Sequence, residues 1–299
     1  MPTPLLDNRQ LGPEIQRSSN LLTNGGLEQW QRGAGPFTAT GAYAADRWSL
    51  QIAGTDTLSV QRTTTSQDVN SNAAAWITFT LGTGAGSTAF LNVCRFADTP
   101  QMGTRTLSLS IRVWASIANA VRIAIYDDSG GGFINYSAYH PGNSSYQTLT
   151  ATLTLPTGGT GVWALVYFNA SGTFYIDNAM LVAGEQPANY VPLHPADDLA
   201  RCLRYYEIIG GNGTGELIFS GYNSANNYSK YFYIPWKAQK PTTPTVTKVG
   251  PWTISGPVNS AAMESPSFSG CRINVNANIG EWLYYNSGAG SYITSECNP

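Results

Sequence analysis

The stretch LSLSIRVW, Leu107 to Trp114, alternates without a break: Leu107, Leu109, Ile111 and Val113 fall on one side of an extended chain, Arg112 and Trp114 on the other. A period of two is the mark of a strand with one face buried, because successive side chains point to opposite faces. Four neighbours repeat it. WITFTL (Trp76–Leu81) sets Ile77, Phe79 and Leu81 on one face, and VRIAIY (Val121–Tyr126), LTATLTL (Leu149–Leu155) and VWALVYF (Val162–Phe168) follow suit. Glycine-rich turn signals separate the runs, DDSGGG at 127–132 and PTGGTG at 156–161. The segment from about residue 20 to 192 therefore reads as an all-β sandwich or jelly roll with room for about eight to ten strands.

Composition agrees. Only 11% of the 299 residues are charged, against about 25% in an ordinary soluble chain. Long surface helices depend on Lys and Glu, so Gly, Ser, Thr and aromatics in their place favour short strands and tight turns. The length points to two domains. A net charge of −2 argues against a nucleic-acid partner, which calls for a basic face. No apolar run approaches the roughly 18 residues of a membrane span. MPTPLLDNRQ, residues 1–10, has neither the basic nor the apolar region of a cleaved signal peptide. Cys94, Cys202, Cys271 and Cys297 lie far apart with no CxxC spacing, so zinc is not expected. A Cys271–Cys297 disulfide stays open.

Four segments follow. Residues 1–19, with three prolines, read as an extended arm; 20–192 form the sandwich. One helix is expected over HPADDLARCLRYYEII (His194–Ile209), within a linking segment 193–210. Pro195 suits its first position and Asp197 and Asp198 its first turn; Leu199, Leu203 and Tyr206 make an apolar stripe, and GGNGTG ends it. Residues 211–299 return to strands, among them YSKYFYIPW and GCRINVNANIG. In the latter Cys271, Ile273, Val275, Ala277 and Ile279 alternate with Arg272, Asn274, Asn276 and Asn278. So small a region buries a modest core alone, and a neighbouring subunit could add to it.

Catalytic signatures are missing. The two histidines, His140 and His194, each precede proline, and neither lies in a metal spacing or a nucleophile elbow. Asp127, Asp128, Glu216, Glu264 and Glu281 could supply the two carboxylates of a glycosidase, but nothing marks a pair. The stronger signal is on the strands' outer faces. Trp76, Arg112, Trp114, Tyr126, Trp163 and Tyr167, with Arg122, point away from the apparent core. Rings beside polar groups are how a shallow site holds sugar, the ring stacking on the apolar face of a pyranose. The competing reading is that a loop, a second sheet or another subunit covers those rings.

NLLTNGGLEQWQRG (Asn20–Gly33) followed by ADRW (Ala45–Trp48) resembles the start of phage and prophage tail-fibre, or receptor-binding, proteins whose first domain is a carbohydrate-binding-module-like jelly roll. FYIDNAMLVAGEQPANYVP (Phe174–Pro192) looks like that module's closing strand, LARCLRYYE (Leu199–Glu207) like the helix that follows it, and SGAGSYITSE (Ser287–Glu296) like the distal domain's ending. The resemblance implies a non-enzymatic virion protein, made in the host cytoplasm. Its arm would dock to a baseplate or tail adaptor, it would bind a host surface glycan, and it would be a homotrimer. It also implies a structural calcium ion held by Glu28 and Asp177 with backbone carbonyls, a donor set calcium accepts. Gly25 and Gly26 would permit the turn before Glu28, and Trp30 and Trp48 would wedge into the core. A capsid decoration or head-fibre protein and a tail-associated glycan hydrolase stand as alternatives.

Overall fold

The computed structural model describes residues 20–298 apart from 84–87, 96–103, 129–131, 157–159, 211–215, 224–227, 251, 256–257, 278–280 and 288–291. The expected arm, 1–19, lies outside the described residues, as do Asn278 and Ile279. The chain divides into two compact units, Met1–Leu199 and Ala200–Pro299.

Among the described residues, ten strands build the first unit: β1 Trp48–Gln51, β2 Thr57–Thr63, β3 Ala74–Thr80, β4 Ala89–Arg95, β5 Thr106–Ala115, β6 Val121–Asp127, β7 Ile134–Tyr136, β8 Ser145–Thr154, β9 Gly161–Phe168 and β10 Gly172–Ala183. They pair as two five-stranded sheets, ordered β2-β3-β10-β5-β8 and β1-β4-β9-β6-β7, each neighbour antiparallel to the next. Because the chain crosses repeatedly between sheets, the result is a jelly-roll sandwich. Its alternation is the one read from the sequence. Ile77, Phe79, Leu107, Leu109, Ile111, Val113, Val121, Ile123, Ile125, Val162, Ala164 and Val166 are all buried in one core. Leu81 departs from the pattern at 50% exposed. The ladder ends at Thr80, and the Leu81 amide turns aside to the Ser171 hydroxyl.

The opening motif closes this core from the edge. Leu22, Leu27 and Trp48 are buried in it, while Trp30 is only partly buried against it. The Trp48 ring stacks on Phe90 at 5.1 Å, and its Nε1 donates to the carbonyl of Asn24. Leu21 N donates to Leu181 O and Ala179 N to Gly25 O, so the start of the chain is tied to the last strand of the sandwich.

The helix, α1, runs only over Pro195–Leu203. Tyr206, expected on its stripe, instead opens strand β11, Tyr206–Gly210, and Leu199 is exposed. The reason is tertiary. Tyr-Glu-Ile-Ile has the bulky, β-branched character a strand favours, and it finds a partner in β19, Tyr292–Glu296.

Among the described residues, seven more strands belong to the second unit: β12 Glu216–Asn223, β13 Tyr228–Pro235, β14 Thr245–Val249, β15 Trp252–Ser255, β16 Val258–Glu264, β17 Gly270–Ala277 and β18 Glu281–Ser287. Together with β11 and β19 they form three-stranded sheets β11-β19-β14, β12-β18-β15 and β13-β17-β16. Among the described residues, Ile234, Trp236, Cys271, Ile273, Val275 and Ile293 form a buried cluster in this unit. Beside it the fully buried Lys240 Nζ meets Glu207 Oε2 at 3.0 Å, and Glu207 also accepts from the Lys237 amide. Cys271 and Cys297 form no disulfide; Cys297 Sγ donates to Thr242 O instead.

Candidate functional site

The six aromatic and arginine positions taken as a glycan platform divide between the two sheets. Trp76, Arg112 and Trp114 stand on the outer face of the β2-β3-β10-β5-β8 sheet, and Tyr126, Trp163 and Tyr167 on that of β1-β4-β9-β6-β7. The two sheets enclose one core, so these faces point away from each other. One shallow site cannot use both sets.

On the first face the register makes a row. Trp76 pairs with Tyr175, Tyr175 with Trp114 and Trp114 with Tyr146, so four adjacent strands each add one ring at the same level. Tyr175 lies 6.4 Å from Trp76 and 5.1 Å, edge-on, from Trp114. Strands lie roughly 4.8 Å apart, so the row spans roughly 14 Å. Trp76 is 37% exposed, and Trp114, Tyr146 and Tyr175 are half-buried.

One level along, the face turns polar. Arg112 grips Asp68 with two bonds, Nε to Oδ2 at 2.5 Å and Nη2 to Oδ1 at 3.1 Å. Burial opposes ionisation of Asp68, but the hydrogen bonds from Arg112 outweigh it and hold the carboxyl below its ordinary range. The segment carrying Asp68 is fixed further by Tyr146, whose hydroxyl donates to Ser66 O. Beyond Arg112 lies a groove of 390 Å³, floored by Ser110, Arg112 and Thr148 and walled by Asn70, Asn189 and Tyr190. Stacking surface and hydrogen-bonding groove thus adjoin on one sheet.

The second face is more closed. Tyr126 and Trp163 lie 5.2 Å apart. Arg122 is stacked among Tyr136, Tyr139 and Tyr167, at 3.5, 4.7 and 5.3 Å from the ring centres. Buried Leu91, Val93 and Leu165 fill the space beside them. Here the rings pack on one another and on the arginine.

Tyr175 and Tyr146 were not singled out in the sequence. Tyr175 was legible: in FYID it separates the inward Phe174 and Ile176. Tyr146 stands before the apolar alternation of β8 begins, and only pairing with Trp114 reveals it.

Glu28 and Asp177 both face the 68–72 loop. The buried Asp177 carboxyl accepts from Asp68 N (2.9 Å), Ser71 Oγ (3.1 Å) and Asn178 N (2.8 Å), and Glu28 Oε1 from Asn72 Nδ2 (3.1 Å). Both carboxylates therefore hold the 68–72 loop. Arg32 goes to Asp46 and Arg47 to the Val93 carbonyl. Burial pushes the Asp177 carboxyl up to about 7. Among the described residues no group of three or more His, Cys, Asp or Glu is placed to hold a metal ion. Calcium takes oxygen donors; to bind here it would have to displace the N–H and O–H groups now facing these carboxylates. Of the other acids, Asp127 is buried within the sandwich and Glu264 belongs to the second unit's Arg272 ion pair. The side chains of Glu216 and Glu281 lie outside the described residues.

No protein-family model and no curated protein matches the chain. Among solved structures, it is similar to the CBM22-1 xylan-binding domain of Xyn10C from Paenibacillus barcinonensis, at 14% identity over 56% of this chain and 96% of that one, TM-score 0.38. It is also similar to the enzymatically active domain of tailspike protein 4 of bacteriophage CBA120, at 15% identity over 58% of this chain and 22% of that one, TM-score 0.39. The family 11 carbohydrate-binding module of Lic26A-Cel5E from Clostridium thermocellum aligns at 16% identity over 52% of this chain and 99% of that one, TM-score 0.34.

Proposed function

We propose that the protein is a non-catalytic glycan-binding virion protein of the tail-fibre type, and that its first unit holds the sugar on the β2-β3-β10-β5-β8 face. The observation that carries this is the registered row Trp76–Tyr175–Trp114–Tyr146 lying beside a polar groove. Rings in a row accept successive apolar sugar faces, and Thr148 and the asparagines offer partners for hydroxyls. Binding without catalysis is favoured because the acids on this face are engaged, Asp68 by Arg112 and Asp177 by the 68–72 loop. The virion part of the reading is supported by the resemblance of the opening and closing motifs, which also suggests attachment through residues 1–19 to a baseplate or tail adaptor.

The test is binding of the purified protein to a glycan array and to bacterial surface polysaccharide, comparing wild type with Trp76→Ala, Trp114→Ala and Tyr175→Ala. Loss of one stacked ring is expected to weaken binding roughly five- to thirty-fold, on the scale of about 1–2 kcal/mol for a stacking contact. Variants that bind like the wild type would remove the face from the proposal. Parallel samples with calcium and with chelator ask whether an ion at Glu28 and Asp177 supports the loop. Equal melting temperatures would exclude that role, and a calcium-dependent rise would restore it.

A further inference from the structure

The aromatic row and the groove beside it run in different directions. The row crosses the strands at one level, from Trp76 through Tyr175 and Trp114 to Tyr146. The floor of the groove follows the strands instead. Arg112 and then Ser110 are the next outward residues of β5 after Trp114, and Thr148, paired with Arg112, is the next of β8 after Tyr146. Successive outward residues on a strand lie roughly 6.5 Å apart, so the groove starts one side chain away from the row and leaves it at a right angle. A linear glycan stacked along the row passes the groove without entering it.

We infer that the glycan held by this face is branched, its main chain lying on the row and an uncharged side-chain sugar filling the groove. The inference rests on the glycan-binding reading of the same face and names the class of ligand. At 390 Å³ the groove has the size of a small-molecule pocket. Its ionic lining is spent internally, Asp68 and Arg112 neutralising each other through two hydrogen bonds, so it does not select an acidic or a basic group. What it offers a ligand is exposed: the Asn70 and Asn189 amides and the Thr148 hydroxyl, beside the apolar Val69, 80% exposed, and Pro192. Thr148 accepts from Arg112 Nη1 at 3.2 Å, which leaves its hydroxyl hydrogen to donate. Amides both donate and accept, as sugar hydroxyls do, and the two apolar side chains suit the C–H edges of a sugar ring. The Asp68–Arg112 pair and the Tyr146 bond to Ser66 O hold the wall that carries Val69 and Asn70 in place before any ligand arrives.

The experiment presents the full-length protein with bacterial polysaccharides of linear and branched repeating unit, and takes the best-bound one before and after exoglycosidase removal of its side-chain sugars. Wild type is compared with Thr148→Phe, which fills the groove, Asn189→Ala, which removes a partner, and Trp114→Ala, with thermal melts alongside. Wild type should prefer a neutral branched polymer and lose about ten-fold on trimming, the scale of one or two net hydrogen bonds. Thr148→Phe and Asn189→Ala should bind the intact polymer as weakly as wild type binds the trimmed one, and the trimmed one as wild type does. Trp114→Ala should weaken both forms alike. The inference is overturned if wild type prefers linear or acidic polymers, if trimming changes binding less than two-fold, or if the groove variants bind the intact polymer like wild type or weaken both forms equally. Any of these with Trp114→Ala still weakened sinks the branch and keeps the face. Trp114→Ala binding like wild type, or a folded wild type that binds no glycan, overturns both.

Discussion

A methyl group on Gly25 would sit 2.3 Å from the carbonyl oxygen of Ala179, and one on Gly26 would sit 2.4 Å from the Tyr190 hydroxyl. Gly25 is needed for close approach to the last strand of the sandwich and Gly26 for close approach to Tyr190. The positive φ angles of the turn fall on Asn24 (56°) and Leu27 (54°) instead. Gly25→Ala is expected to destabilise the protein by about 2–3 kcal/mol, because backbone as well as side chain must shift, and urea unfolding would measure it. His140 gives a pH signature at the same scale. It is buried, accepts from Gly142 N at Nδ1 and meets Ser145 O with Nε2, an arrangement for the neutral ring. Burial lowers its pKa. The folded state therefore binds its proton less well than the unfolded one, and stability is lost as pH falls from the ordinary value of 6.5 toward the folded one. Melting temperature should drop over that interval more steeply in wild type than in His140→Gln. The comparison isolates the histidine from Asp177, whose raised pKa acts oppositely, favouring the fold on acidification.

At the scale of elements, α1 and β11 show how a helical stripe can mislead. The acids expected to serve the helix dipole do more: Asp198 accepts from Asn24 N, linking α1 to the opening motif. Past Leu203 the apolar spacing belongs to a strand, and the buried Lys240–Glu207 pair pins that strand, with Lys240 also donating to Leu203 O. Burial lowers the Lys240 pKa even as Glu207 supports its charge. Lys240→Met should cost about 3–5 kcal/mol by stranding Glu207, whereas Lys240→Met/Glu207→Leu should recover most of that. Denaturant midpoints of the two variants decide it, and equal losses would refute the pairing argument. The aromatic row is likewise a property of pairing. Each ring's side of its strand follows from alternation, but its level depends on register, and a slip of one residue would carry it inward.

For the whole molecule, the trimer belongs to the proposed tail-fibre reading. Residues 211–299 are few to bury a large core alone, which suits a region whose stability is shared between subunits. Light scattering of the full-length protein should then give a mass three times that of one 32.1 kDa chain. A monomer would remove the trimer from the proposal and leave the glycan-binding face to be judged by its own variants.

The class of fold was legible because its cause is local. Strict alternation from Ile77 to Val166, broken by glycine turns, permits little but half-buried strands, and the residues expected inside are inside, save Leu81 where the ladder stops. The candidate site was half legible for the same reason: the sequence determined that Trp76, Trp114 and Trp163 face outward. It could not determine that Trp163 lies on the opposite side of the sandwich, or that Tyr146 and Tyr175 complete a row with the other two. Those facts depend on which distant strands pair and at what register, set by the packing of a core that joins residues more than a hundred positions apart. The close approach at Gly25, the strand in place of a longer helix, and the carboxylates that hold a loop were decided at that same level.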